Sequence, residues 1–286
     1  MAAHAEHDVS PDQFEPGHPL DEQARRHSLD YFIVQWGVSA SLVVGERIAL
    51  DAEIPLHTNR NFAEFLDAEG QPIAEYESIH HRDETLVGIG DLRLGARYRV
   101  RRAPGLHDWS LDLRAGLRLP TGGIQPDPFS LGRAGKEHQH VFFGAGVVRP
   151  GLGFQATRVG LAHNVTFWGD AQVALSSNRH GYRPSDVFQG GAVISRLVGL
   201  SDWRVRLEPQ VYYETIARWS DNDSPNSGRW EALLGAGVTW TGSPDWAFDV
   251  LTKRAIYRKV EGGQLDFPLV VQVGVQRRWT AWEPGQ

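Results

Sequence analysis

The 286-residue sequence contains no cysteine and a single methionine. Without a thiol there is no disulfide, no thiolate nucleophile and no cysteine-ligated zinc or iron–sulfur centre. Exported and cytosolic chains both dispense with cysteine, so the compartment stays open. Nor is there a surplus of basic charge. The 29 Lys and Arg stand against 35 Asp and Glu, a net charge of −6, and nucleic acid is not an expected partner. No apolar run approaches the roughly 20 residues of a membrane-crossing helix, which excludes helical insertion and leaves a membrane β-barrel open. Residues 1–20, MAAHAEHDVSPDQFEPGHPL, have neither the basic start nor the apolar centre of a secretory signal. On this segment the chain is either cytosolic or has its export signal outside the given sequence. The phosphate-cradling G-x-x-x-x-G-K-[ST], the nucleophile elbow G-x-S-x-G and the zinc-protease HExxH are missing too.

What the chain does have is 41% apolar and 22% charged residues, the composition of a folded protein, with 31 Gly and 10 Trp. From residue 31 onward the dominant period is two. In Asp91–Val100, Asp91, Arg93, Gly95, Arg97 and Arg99 alternate with Leu92, Leu94, Ala96, Tyr98 and Val100. Trp109–Leu119 sets Ser110, Asp112, Arg114, Gly116 and Arg118 against Trp109, Leu111, Leu113, Ala115, Leu117 and Leu119. Trp203–Tyr213 sets Arg204, Arg206, Glu208 and Gln210 against Trp203, Val205, Leu207 and Val211. Weaker copies bring the count to about eleven strands, with no amphipathic helix after residue 30. The chain is expected to be all-β.

The connections sort by length. Short ones fall at Val43–Arg47, Arg102–Asp108, Val159–Leu161, Val198–Asp202 and Gly242–Asp245. Long polar ones fall at Thr58–Glu84, Thr121–Gln139, Ser176–Asp186, Ser220–Gly228 and Val260–Gln264. Strands that each cross one layer put every short turn at one end and every long loop at the other. That is the plan of an antiparallel up-and-down transmembrane β-barrel with short periplasmic turns and long extracellular loops. Alternation alone does not say which face is inside. Strands of about ten residues exceed the usual five or six of soluble sheets. Trp109, Trp203, Trp240 and Trp246 sit beside short turns, as an interfacial girdle would. Gly37, Gly95, Gly116, Gly235, Gly237 and Gly274 interrupt the charged stripe, where a crowded lumen needs small residues. All three details favour apolar-out.

The phrases VGIGDLRLGARYRV (87–100), LDLRAGLRLPTGG (111–123), VFFGAGVVRPGLGFQATR (141–158) and VVQVGVQRRW (270–279) follow one another in this order. In this it resembles the outer-membrane transporters related to the meta-pathway phenol-degradation (MetA-like) proteins, over about residues 28–279. The resemblance implies an outer-membrane barrel of about twelve strands that admits small hydrophobic or aromatic molecules. It also implies the lipid bilayer and the barrel-insertion machinery as partners. Two departures stand out. Eleven strands are legible where a closed antiparallel barrel needs an even number, and TAWEPGQ follows Trp279, where an aromatic terminus is usual. The expected organisation is a polar, mobile or lumen-plugging arm (1–27), a barrel (28–279) and a tail (280–286).

On that reading the charged stripe lines the lumen. Its positive members are Arg93, Arg97, Arg99, Arg114, Arg118, Arg204, Arg206, Lys253 and Arg278; its negative members are Asp51, Glu53, Asp91, Asp112, Glu208, Glu214 and Asp249. A near-balanced lattice points to cross-strand salt bridges and a narrow or plugged lumen, whereas a ring of one sign would select ions. Asp91, Arg93, Arg97, Asp112, Arg114, Arg118, Arg204, Arg206 and Glu208 are the candidate substrate-lining residues. Glu137-His138-Gln139-His140 offers two imidazoles on one face if extended, a copper- or zinc-type site, with His80 and His81 in an earlier long loop. The expected function is an outer-membrane channel for passive diffusion, with no cofactor and no catalysis. The alternatives are a metal-binding surface protein using His138 and His140, and a soluble β-sandwich binding protein.

Overall fold

The computed structural model describes residues 2–8, 26–73, 82–199, 201–220, 222–224, 227–260 and 266–279. In chain order the elements are β1 (Ala2–Asp8), β2 (Arg26–Val44), β3 (Ile48–Leu66), β4 (Glu84–Ile89), β5 (Leu92–Arg101) and β6 (Trp109–Leu119). Next come the one short helix among the described residues, α1 (Pro128–Arg133), then β7 (Arg149–Val159), β8 (His163–Gln172), β9 (Tyr182–Arg183), β10 (Val187–Leu197) and β11 (Trp203–Glu214). The chain continues through β12 (Arg218–Trp219), β13 (Asn222–Asp223), β14 (Arg229–Trp240), β15 (Trp246–Val260) and β16 (Asp266–Arg277). No helix among the described residues is long and apolar enough to cross a membrane.

Thirteen strands form one antiparallel sheet, and β9, β12 and β13 form a small second one among the long loops. Within the large sheet, β4 pairs with Leu56–Asn61 of β3 and β5 with Ile48–Glu53. The two share one strand's place, so the sheet has about twelve positions. Neighbours follow chain order because the five short connections leave room only for antiparallel hairpins. The turn after β2 places Gly45 at φ 66°, and that after β10 places Gly199 at φ 58°. Both are left-handed conformations that cost a residue without a Cβ nothing. The long loops lie at the opposite end, as the sequence predicts.

Three expectations need correction. Residues 1–27 were expected to form a polar arm, yet Ala2–Asp8 is a strand paired with β2 along its length and with β16 at Ala2↔Leu269 and His4↔Asp266. This supplies a partner strand before the eleven legible ones. It escapes the period because AAHAEHD offers only alanine as its apolar contrast, while backbone pairing needs no side-chain pattern. Second, β2 and β3 run 19 residues each, well past the alternating segments, since their outer halves pair with each other and with β4. Third, α1 is a helix where none was expected. The Asp127 carboxylate accepts from the Phe129 amide at 3.0 Å and Pro128 opens the first turn, local cap chemistry that needs no amphipathic period. The expected tail, 280–286, and His80 and His81 lie outside the described residues.

The polarity of the sheet is inverted relative to a water-soluble protein. The apolar stripe is the exposed one, with Leu152 70%, Val273 73% and Trp36 63% accessible. The charged stripe is enclosed: Asp112 is 6%, Glu231 7% and Arg149 8% accessible. A soluble sandwich hides its apolar face, so this arrangement speaks against that alternative. The exposed face carries aromatic residues near both strand ends. At the short-turn end Trp203 and Trp240 are register partners, and Trp246 stacks on Phe248. At the long-loop end Phe188 stacks on Tyr213, and Trp230 meets Tyr257 edge-on at 5.0 Å.

Candidate functional site

The enclosed face is held by carboxylate–guanidinium pairs that follow strand register. Arg99 and Asp112 are directly opposite and form a two-pronged bridge at 2.7 and 2.9 Å. Arg93 meets Glu53 at 2.9 Å, and Arg97 meets Asp51 at 3.1 Å. Arg258 reaches Glu231 at 2.6 Å, and Arg229 lies 3.5 Å from Glu214. On the far side Arg206 bonds Asp249 at 2.9 Å, and Lys253 lies 3.5 Å from Glu208. These last two pairs span three strands. Glu208 and Lys253 both face Gly235 across their ladders, and Arg206 passes over Gly237. A Cβ on Gly237 would sit 3.0 Å from the Arg206 Nε and 2.5 Å from the Val250 carbonyl oxygen. The glycines in the charged stripe are thus the floor over which ion pairs cross, an arrangement available only when the middle residue has no side chain.

Asp91 plays a different part from its neighbours in the stripe. Its carboxylate accepts from the backbone amides of Gly122 at 3.1 Å and Ala145 at 2.9 Å. Beside it, the Thr121 hydroxyl donates to the Gly90 carbonyl and accepts from the Leu92 amide. Gly122 and Gly144 pack backbone on backbone, each where a Cβ would fall within 2.7 Å of the other. Gly88 and Gly90 make room for the Phe143 and His57 rings, which stack 5.3 Å apart. The GIGD and LPTGG phrases therefore meet in space. Together they tie both ends of the long loop 120–148 to the break between β4 and β5.

That loop lies at the long-loop end of the sheet. Val141 packs against Leu29 and Tyr31 of β2. Phe142 reaches Trp219 at 5.9 Å and Tyr182 at 6.2 Å, and Tyr182 and Trp219 are 4.7 Å apart. Burial pushes the pKa of the Tyr182 hydroxyl up, so it stays protonated and able to donate. Below the loop lies a cavity of about 420 Å³ lined by this aromatic trio together with Arg118, Arg149 and Tyr212. A second cavity, of about 380 Å³, continues among the strands past Arg93, Arg97, Arg114 and Asp170. Arg118, Val187 and Gln189 border both.

The sequence-predicted residues thus fall into three groups. Arg93, Arg97, Asp112, Arg206 and Glu208 are tied into ion pairs. Asp91 anchors the loop. Arg114 bonds the Gln155 side chain, while no carboxylate partners Arg114, Arg118 or Arg204 among the described residues. Arg278 lies outside the lattice, exposed beyond the end of β16. Sequence reasoning missed Arg149, Tyr182, Phe142 and Trp219. Arg149 opens β7, where Pro150 and two glycines blur the alternation, and the aromatic residues come from loops, which carry no period. His138 and His140 do come together, their rings 5.2 Å apart. His138 is buried with its Nδ1 2.9 Å from the Lys136 carbonyl oxygen, and among the described residues no group of three potential ligands could hold a metal ion.

No protein-family model matches the chain, and no curated protein matches it in sequence. Among solved structures it is similar to an outer membrane channel from Pseudomonas putida F1, with a TM-score of 0.58 and 12% sequence identity, over 96% of this chain and 93% of that one. At that identity the likeness is one of fold alone, over nearly the whole of both chains.

Proposed function

We propose that this chain closes through the β1–β16 seam into a twelve-position barrel in an outer membrane and acts as a channel for small molecules. The observation that carries this reading is the inverted polarity of the sheet. An exposed aliphatic surface with aromatic residues near both strand ends matches the hydrocarbon slab and its two interfaces. A half-buried lattice of ion pairs is tolerable there because most of its charges meet an opposite one on a nearby strand. The two cavities that share Arg118, Val187 and Gln189 trace the route. Movement is by diffusion, with loop 120–148 narrowing the mouth. The permeants are small and hydrophobic or aromatic, a reading supported by the rings that line the mouth and by the resemblance to the meta-pathway transporters. The bilayer and the barrel-insertion machinery are the partners, and no catalytic step is assigned.

The test is twofold. Expressed behind an export signal, the protein is expected in the outer-membrane fraction and its unboiled band should migrate differently from the boiled one. Reconstituted in a planar bilayer, it should give discrete conductance steps in potassium chloride. A protein that remains in the soluble fraction, with one gel mobility, would sink the proposal.

A further inference from the structure

Three guanidinium groups stand abreast where the sheet meets the mouth. Arg93 is the register partner of Arg118 on β6, and Arg118 is the register partner of Arg149 on β7. Only Arg93 has a carboxylate, Glu53. Arg149 is 8% accessible; its Nη2 donates to the Ser185 carbonyl at 2.7 Å, and its buried Nε has no hydrogen-bond partner. Arg118 has neither a hydrogen bond nor an ion pair among the described residues, and it borders both cavities. Elsewhere on this face most cations have a carboxylate within reach, opposite as at Arg99 and Arg258 or offset as at Arg97 and Arg206. Here register sets three cations in a row with one carboxylate among them, an arrangement that costs stability unless an anion joins them. Glu214, which also lines the cavity, is already engaged by the Tyr212 hydroxyl at 2.7 Å and by Arg229 at 3.5 Å.

The same cavity is also lined by the trio Phe142, Tyr182 and Trp219. A planar guanidinium matches a carboxylate with two parallel N–H donors, and clustered rings favour a flat apolar body. The cavity, about 420 Å³, falls within the usual size of small-ligand sites. We propose that the mouth is a binding subsite for a small aryl carboxylate, its carboxylate on Arg118 and Arg149 and its ring against Phe142, Tyr182 and Trp219. This rests on the channel reading and narrows it: the subsite would concentrate aromatic anions at the entrance and hand them to the deeper cavity past Arg118.

The experiment uses benzoate as the probe, with benzamide as its neutral counterpart and sulfate as an anion without a ring. Each is titrated into single channels in potassium chloride, and in parallel against the tryptophan fluorescence of detergent-solubilised protein. Benzoate is expected to reduce the current and quench the fluorescence at concentrations about tenfold or more below the other two, the effect of one charge-assisted hydrogen bond. R118Q should raise the benzoate concentration needed by a similar factor. Because the Arg118 side chain has no hydrogen bond or ion pair to lose among the described residues, this variant should retain its heat-shifted band. F142A should weaken benzoate and leave sulfate unchanged. Equal effects of benzoate and benzamide, equal effects of benzoate and sulfate, or an R118Q titration identical to the parent would each overturn the subsite while potassium chloride conductance still supports the channel. Absence of conductance with benzoate quenching intact would overturn the channel and keep the subsite.

Discussion

Asp91 shows how one side chain on a regular stripe acquires a separate task. By alternation it is one more inward carboxylate, but the break at Gly90 aims it at two backbone amides instead of at a cation. Asp91→Asn turns one acceptor oxygen into a donor facing an amide, at a cost of roughly 1–3 kcal/mol for the group left unsatisfied. The variant should give larger and noisier conductance steps as loop 120–148 loosens, with the heat-shifted band preserved; steps unchanged from the parent would show that the loop does not narrow the pore. Gly237 makes the complementary case. Gly237→Ala places a methyl 2.5 Å from the Val250 carbonyl oxygen and 3.0 Å from Arg206. Overpacking of this kind costs about 1–3 kcal/mol, and the temperature at which the folded band disappears should fall. Gly123, with nothing within 4 Å of its would-be Cβ, is the control position and should tolerate alanine.

Among the elements, β1 matters most for its size. Its pairing with β2 is continuous, and among the described residues it meets β16 at two register positions with a shift between them. The seam between first and last strands is the line on which closure of such a sheet depends, because unpaired backbone groups in hydrocarbon cost several kcal/mol each. Deleting residues 2–8 should therefore lower the temperature of the gel-mobility shift by more than deleting the tail after Trp279. If the two deletions behave alike, the sheet does not close through β1. The helix α1 and loop 120–148 lie at the other extreme, built from local caps and glycine contacts with no periodic signal. Their glycines and Thr121 stand out in the sequence only as phrases, GIGD and LPTGG, whose common purpose emerges once the two segments touch.

For the whole molecule the decisive variable is the solvent on each face. Leu207 lies mid-strand on the exposed stripe, and Val198 lies beside a short turn. In a bilayer, Leu207→Lys should cost about 2–4 kcal/mol and Val198→Lys about 0–1, following depth. Folding yield into liposomes reads this difference, and equal yields would mean that no hydrocarbon covers the stripe. The same reasoning accounts for the small apolar interior, which among the described residues holds only scattered buried side chains such as Leu29, Phe65, Val147, Trp219 and Leu251, since the surface that replaces a core is the one facing outward.

Much of this was legible in advance because a strand's period is two whatever its surroundings. All eleven expected strands are present, short turns and long loops separate to opposite ends, and the charged stripe forms the expected cross-strand pairs. Those features follow from residue type and local chain direction, which the sequence by itself determined. Tertiary structure alone decided the rest. It made a strand of Ala2–Asp8 through its neighbours' backbone groups. It took Asp91 out of the ion-pair lattice, left Arg118 and Arg149 without carboxylates, and gathered Phe142, Tyr182 and Trp219 from separate loops. Each depends on distances between segments far apart in the chain, and alternation says which face a side chain takes but not what it meets there.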